Sequence, residues 1–268
     1  MINTVAVIGA GTMGSGIATI CLLSGYKVNL YDPSPEALEK AKMRIAKRSG
    51  DLSVLKLCQD LAEVASNADM VIEAVPEKLS LKQQIFRELD GFAPSHTIFA
   101  SNTSELSVTA MAAVTKRPSQ CIGMHWFNPP ERMKLIEIVQ AVQTSQETIT
   151  AIQEMSKRCG KESVLVKDRQ GFVTTRAVAA LLLESVRMLE EGVASPQDID
   201  TAVKLGLNHP MGPLELSDYI GLDTMLFISE SMTEALGERF LAPQTLRKLV
   251  EAGHLGRKTG QGFYHYDK

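Results

Sequence analysis

The 268 residues predict an α/β chain in two parts, a doubly wound parallel-sheet domain over residues 1–168 and an all-helical domain over 169–268. Three observations carry this reading. Strand-like and helix-like runs alternate through the first two thirds of the chain, as βαβ units require. A glycine-rich turn joins the first strand to the first helix. Beyond Asp168 the strand signals stop, and helical runs punctuated by glycine remain.

In order, the strands are TVAVIG, KVNLY, DMVIEAV, TIFAS, QCIGMH, KLIEIVQ and SVLVK, each a short apolar or alternating run. Between them, helical patterns cover residues 12–25, 35–48, 78–90, 105–113 and 145–160. Ser34 precedes Pro35 at a first helical position, and Thr144 stands three residues ahead of Glu147 in the spacing of a capping box. In the second part Gly192 ends one helix, Ser195-Pro196 opens the next with Asp198 in its first turn, and Gly206 closes it.

Composition excludes several function classes. A 44% hydrophobic and 22% charged chain is an ordinary globular one, able to bury real cores. A net charge of −3 without a Lys/Arg block argues against nucleic acid or an anionic membrane as the main partner and favours small molecules. The most apolar stretch, VAALLLESVRMLE, is interrupted by Glu184 and Arg187 before it spans a bilayer. The N-terminus runs straight into a strand with no basic leader, which reads as a chain without a signal peptide. Cys21, Cys58, Cys121 and Cys159 lie far apart, as buried thiols of a reduced, cytoplasmic protein would, with no disulfide framework and no metal site.

Residues 9–14 read GAGTMG, directly after a strand and at the start of a helix. That context makes Gly9, Gly11, Thr12, Met13 and Gly14 a dinucleotide fingerprint of the Rossmann type. Gly9 permits the turn, Gly11 lets the backbone approach a pyrophosphate, Gly14 allows close helix–strand packing, and the helix N-terminus faces the phosphate charge. Asp32 ends the second strand 18 positions beyond Gly14, near the distance expected for an acid on the adenosine ribose. An aspartate there repels a 2′-phosphate, and the following PSPE offers no arginine, which favours NAD over NADP as the cofactor. The competing reading is a structural turn with Asp32 only capping the next helix; the strand and helix flanking the motif weigh against it.

CIGMHW and MKLIEIV flank FNPPER, whose Asn-Pro-Pro is turn-forming, and suggest an antiparallel hairpin. A pairing of residue 125 with residue 137 centres on residue 131, inside that turn. His125 and Glu137 would then face each other across the ladder, within hydrogen-bonding reach. A carboxylate against imidazole fixes its tautomer and raises its basicity, which suits a general base near neutral pH. The bland reading is a structural strand histidine, with Glu137 on a solvated face.

GAGTMGSGIA, SNTSEL at 101–106, HWFNP at 125–129, MKLIEIV, GFVTTR at 171–176, PMGPLEL at 210–216 and GRKTGQGFY at 256–264 together resemble the 3-hydroxyacyl-CoA dehydrogenases, especially the small 3-hydroxybutyryl-CoA type. The resemblance spans nearly the whole chain in the right order. It implies NAD-dependent oxidation of a short-chain L-3-hydroxyacyl-CoA, with Ser104 hydrogen-bonding the reacting oxygen, His125 as base and Glu137 orienting it. It further implies that Glu77, Lys82, Asn102, Asn128 and Lys258 line the NAD site, and that the helical domain forms a homodimer interface and one wall of the acyl-CoA cleft.

The chain departs from the family pattern at two places. Thr175 stands where the family usually has asparagine, and either side chain can donate a hydrogen bond near the reacting group. Between the helix after Asp32 and the strand DMVIEAV, only RSGDLSVLKLCQDLAEVASNA replaces a longer helical arm that in the family helps hold coenzyme A. Lys47, Arg48 and Lys56 are the cations left there to meet its phosphates. The shortened arm keeps open a dehydrogenase of a free 3-hydroxy acid, as in gulonate-type relatives; Thr175 keeps open an NAD-binding protein that does not catalyse.

Overall fold

Alternation along β1 (Thr4–Ile8) sets the first unit's layers, because successive strand residues point to opposite faces. Val5 and Val7 enter one apolar core, Ala6 and Ile8 the other. The computed structural model describes residues 2–267 and divides into two units, Met1–Phe172 and Val173–Lys268.

In the first unit the chain runs through β1, α1 (Thr12–Leu23), β2 (Lys27–Tyr31), α2 (Pro35–Ser49), β3 (Leu55–Cys58), α3 (Leu61–Ala65), β4 (Met70–Glu73), α4 (Leu79–Phe92) and β5 (Ile98–Ser101). It continues through α5 (Val108–Ala112), β6 (Cys121–Trp126), β7 (Leu135–Gln140), α6 (Gln146–Arg158) and β8 (Glu162–Lys167). The strands form one sheet in the order β3-β2-β1-β4-β5-β6-β7-β8, parallel except for the antiparallel β6–β7 pair. Ile17, Ile45 and Ile152 bring α1, α2 and α6 onto one face; Val64, Phe86 and Met111 bring α3, α4 and α5 onto the other. Each such fully buried aliphatic or aromatic side chain contributes about 1.5–3 kcal/mol.

The structure corrects three local expectations. β3 and α3 were not foreseen: LKLC is a four-residue edge strand in a polar stretch, too short for its alternation to stand out. The helix at 145–160 is capped by Ser145, whose Oγ accepts from Thr148 N, and not by Thr144. The Thr144 hydroxyl instead donates to Cys121 O at 2.7 Å and accepts from Ala141 N at 3.0 Å, bracing β6. The helix expected at 105–113 shortens to Val108–Ala112, because Thr103 Oγ1 takes the Leu106 amide at 3.0 Å and Ser107 then caps the helix.

The second unit contains α7 (Thr174–Glu190), α8 (Pro196–Gly206), α9 (Pro213–Ile220), α10 (Leu222–Leu236) and α11 (Gln244–Glu251) around Leu182, Val186, Leu214, Met232 and Leu246. Asp200 accepts the Leu214 and Glu215 amides at 2.7 and 2.9 Å, capping α9. Asp218 accepts the Phe263 and Tyr264 amides at 2.9 Å each, tying down the C-terminal segment. The units part after Phe172, beside the expected boundary at residue 168, and Phe172 is buried with Val108, Val139, Ala141 and Val166 of the first. No helix among the described residues is long and apolar enough to cross a membrane.

Candidate active site

The sheet order places a crevice at the carboxyl ends of β1 and β4, where the chain, having wound outward through β2 and β3, returns to the other side of β1. Gly9 leaves β1 there with φ +105, and its amide donates to Tyr31 O at 2.8 Å. A Cβ on Gly14 would lie 1.8 Å from the Gly9 carbonyl oxygen, so only glycine lets α1 start so close to the strand. A Cβ on Gly11 would meet nothing within 4 Å. The protein therefore does not itself require glycine at that position; the open space suits a group approaching from outside.

Gly11 caps α1 without a side-chain hydrogen bond, Thr12 and Met13 open the helix, and no acid lies in its first turn, leaving the amides disposed toward an anion. Asp32 Oδ2 accepts the Ala10 amide and Oδ1 the Ser34 amide, both at 2.9 Å, holding the carboxylate beside the turn. This cradle fits a dinucleotide: amides for the pyrophosphate, a fixed acid for a ribose diol.

β6 and β7 pair in the register expected, with His125 opposite Glu137. His125 Nδ1 lies 2.7 Å from Glu137 Oε2, and Glu137 has no exposed surface. An ionised carboxylate only accepts, so it fixes the proton on Nδ1 and leaves the Nε2 lone pair for a substrate. Phe127 and Phe172 stand beside the imidazole, with ring centroids 4.4 and 6.0 Å away. Phe172 holds φ +44, a conformation uncommon outside glycine, and its ring joins the buried cluster with Val108 and Val139.

Ser104 lies on the segment that follows β5. Its amide donates to Glu77 Oε1 at 2.9 Å, and the Thr103 hydroxyl donates to the same oxygen. Glu77 Oε2 is 3.2 Å from Lys82 Nζ, which also binds both Glu73 oxygens at 2.8 and 3.0 Å and the Asn102 carbonyl at 2.9 Å. Lys82 and Glu73 are both without exposed surface. Burial pushes the Glu73 carboxyl above the usual range, opposed by the Lys82 ammonium and by donors from Ser101 and Val75. Asn102 Oδ1 accepts the Trp126 amide at 3.1 Å, linking this network to the residue after His125.

The sequence-derived set thus falls into defined places. Ser104, Glu77, Lys82 and Asn102 form one connected network, joined through Trp126 to the strand bearing the His125–Glu137 pair. The ammonium of Lys82 is spent on protein acceptors, so its contribution is to hold the loops. Asn128 is exposed in the β6–β7 connection. In the second unit, Thr175 is buried in the first turn of α7 against Val178, Ala179 and Leu182, and Lys258 is paired with Asp223. Sequence reading missed Glu73, Thr103, Phe127 and Phe172. Glu73 carried a usable signal, an acid in the apolar strand DMVIEAV, the same anomaly that marked Glu137.

α2 ends at Ser49 and β3 begins at Leu55, joined by a turn in which Asp51 Oδ1 accepts the Ser53 amide at 2.8 Å. Arg48 sits 3.5 Å from Glu131 and Lys56 2.9 Å from Glu63, so two of the three nearby cations already face carboxylates.

Two family models match the chain, the 3-hydroxyacyl-CoA dehydrogenase NAD binding domain over residues 4–169 and the C-terminal domain of the same family over 171–266. The chain is 43% identical to a probable 3-hydroxybutyryl-CoA dehydrogenase of Bacillus subtilis, covering 100% of this chain and 98% of that protein. It is 41% identical to the mitochondrial hydroxyacyl-coenzyme A dehydrogenase of Sus scrofa, covering 99% of this chain and 92% of that one. The solved (S)-3-hydroxybutyryl-CoA dehydrogenase of Ralstonia eutropha superposes with a TM-score of 0.97 at 40% identity, covering 100% of both chains.

Proposed function

The chain belongs to the 3-hydroxyacyl-CoA dehydrogenase family, and from that premise we infer that it catalyses the reversible NAD-dependent oxidation of a short-chain L-3-hydroxyacyl-CoA, such as 3-hydroxybutyryl-CoA, to the 3-oxoacyl-CoA. The observation that carries the mechanism is the buried His125–Glu137 pair at 2.7 Å. Gly9, Gly11, Thr12, Met13 and Gly14 hold the pyrophosphate of NAD, Asp32 its adenosine ribose, and Glu77, Asn102 and Asn128 line its remaining half, with buried Lys82 bracing the loops behind them. Bound NAD supplies the acceptor for the hydride that leaves C3.

His125 Nε2 takes the proton of the 3-hydroxyl as the C–H bond breaks, and Glu137 stabilises the imidazolium that forms. Ser104 hydrogen-bonds the same oxygen as its charge changes. In the reductive direction the imidazolium returns its proton to that oxygen. Phe127 and Phe172 keep the imidazole from bulk water, which strengthens its interaction with Glu137.

The short turn from α2 to β3, with Arg48 and Lys56 ion-paired, favours a second reading in which the same residues act on a free 3-hydroxy acid. NADH oxidation with acetoacetyl-CoA and with free acetoacetate, side by side, separates the two. Turnover of the thioester alone supports the first reading, and turnover of acetoacetate alone replaces it with the second.

A cytoplasmic homodimer is part of the same proposal. Four buried free thiols suit a reducing compartment, and Leu205, Leu207 and Phe227 leave apolar surface on the second unit that a second copy would cover. A monomer by sedimentation at micromolar concentration would refute the dimer.

A further inference from the structure

We propose that Glu73 is a positioning residue for this reaction: through Lys82 and Glu77 it clamps the segment Ser101–Ser104 and thereby fixes Ser104 against the reacting oxygen. The proposal rests on Ser104 having the role given above.

The clamp touches four successive residues. Glu73 Oε2 accepts from Ser101 Oγ at 2.6 Å, and the Glu73 carbonyl accepts the Asn102 amide at 2.7 Å. Lys82 Nζ holds the Asn102 carbonyl at 2.9 Å. Glu77 holds the Thr103 hydroxyl and, at 2.9 Å, the Ser104 amide. The ammonium thus joins three separate elements: it binds Glu73 at the end of β4 and the Asn102 carbonyl beyond β5, and it is ion-paired with Glu77 ahead of α4.

Charge, not shape alone, makes this arrangement work. An ammonium with no exposed surface is stable only beside a compensating anion. Glu77 is partly exposed and already occupied by Thr103 and Ser104, so Glu73 is the anion that keeps Lys82 in place. Glu73→Gln keeps the shape and one acceptor oxygen but brings an NH2 against Lys82 or Ser101. Lys82 then shifts toward Glu77, and the grip on the Ser104 amide loosens.

The test is a double-mutant cycle with Ser104→Ala, read by NADH oxidation on acetoacetyl-CoA and by amide hydrogen exchange of residues 101–106. E73Q is expected to lower kcat, measured at saturating NADH because Glu77 and Asn102 also face the cofactor, roughly 10- to 100-fold, the range for a displaced oxyanion donor. In the S104A background the same substitution should lower kcat less than about threefold, since the group it positions is gone. Exchange of the Ser104 amide should accelerate about tenfold or more.

An equal kcat loss in both backgrounds, or a raised KM with kcat unchanged, overturns the proposal. If E73Q does not fold, E73Q/K82M removes both buried charges together, a replacement that fold stability often tolerates, and carries the same cycle. If wild-type protein leaves acetoacetyl-CoA unreduced, the reading of Ser104 fails by itself; unchanged exchange at Ser104 in the variant then sinks the clamp separately.

Discussion

His125 and Glu137 are cross-strand partners on adjacent antiparallel strands, with Nδ1 2.7 Å from Oε2 and the carboxylate without exposed surface. Ladder geometry, and not a flexible loop, therefore sets the imidazole's orientation. Glu137→Gln keeps the shape but can turn its amide N–H toward Nδ1, which would favour the tautomer with its proton on Nε2, wrong for a base. It is expected to lower kcat roughly 10²–10⁴-fold, and His125→Ala at least about 10²-fold. NADH binding should survive in both. Trp126, the single tryptophan and the next residue along β6, reports it through quenching of its emission. A Glu137→Gln enzyme within a few-fold of wild type would sink the tautomer argument.

Asp32 is pinned by the Ala10 and Ser34 amides and cannot swing away from a 2′-phosphate. A carboxylate facing a phosphate across a partly solvated gap is repelled by about 1–4 kcal/mol. KM for NADH should accordingly be at least about tenfold below that for NADPH, and Asp32→Ala should narrow the ratio. Steady-state kinetics with both cofactors measure this; comparable efficiency in the wild-type protein would refute it.

Gly11 and Gly14 separate the cofactor's demands from the fold's. Alanine at 14 would put its Cβ 1.8 Å from the Gly9 carbonyl oxygen, so the turn must move, and overpacking of this kind costs about 1–3 kcal/mol. Gly14→Ala should lower Tm and NADH affinity together. Gly11→Ala meets open space: Tm should stay within about 2 °C, allowing for a few tenths of a kcal/mol at the cap, while NADH affinity falls at least about tenfold. Calorimetry with and without NADH distinguishes the pair, and a Gly11→Ala protein binding NADH normally would mean that the cofactor does not approach there.

Both periodicities and the hairpin pairing were legible in the sequence, because a ladder obeys integer arithmetic that the turn-forming connection FNPPER makes readable. β3 was not, since LKLC offers only two outward and two inward positions. Choosing between Thr144 and Ser145 as the α6 cap required knowing that Cys121 O lay within reach of the Thr144 hydroxyl. Glu73 illustrates the limit at the site. Like Glu137 it is an acid in an apolar strand, but its strand is parallel to both neighbours, so no turn points to a partner. Lys82 becomes that partner only once α4 has packed back on the sheet. Thr175 and Lys258 were marked by resemblance alone, and each lies in the second unit among side chains of that unit.

Asp69 sets a measurable acid limit on the fold. Burial works to raise its pKa, but the Thr4 and Asn3 amides and the His96 imidazole outweigh it and hold the carboxyl below its ordinary value of 3.8. Its Oδ2 accepts the Asn3 and Thr4 amides at 2.8 and 2.9 Å, joining the start of β1 to the start of β4. Because the folded-state value is depressed, the unfolded chain binds a proton that the folded one refuses. The stability from this contact is fully present above the ordinary value and is lost as pH falls through the depressed one. Glu73 and Asp218, both raised by burial, slope in the opposite sense. The difference between wild type and Asp69→Asn therefore isolates the effect. The variant should melt on the order of 2–4 °C lower near pH 7, and the gap should narrow as pH falls below the ordinary value of 3.8. A gap of the same size at both ends would show that Asp69 acts only through hydrogen-bond geometry that asparagine fails to reproduce, with no contribution from its charge.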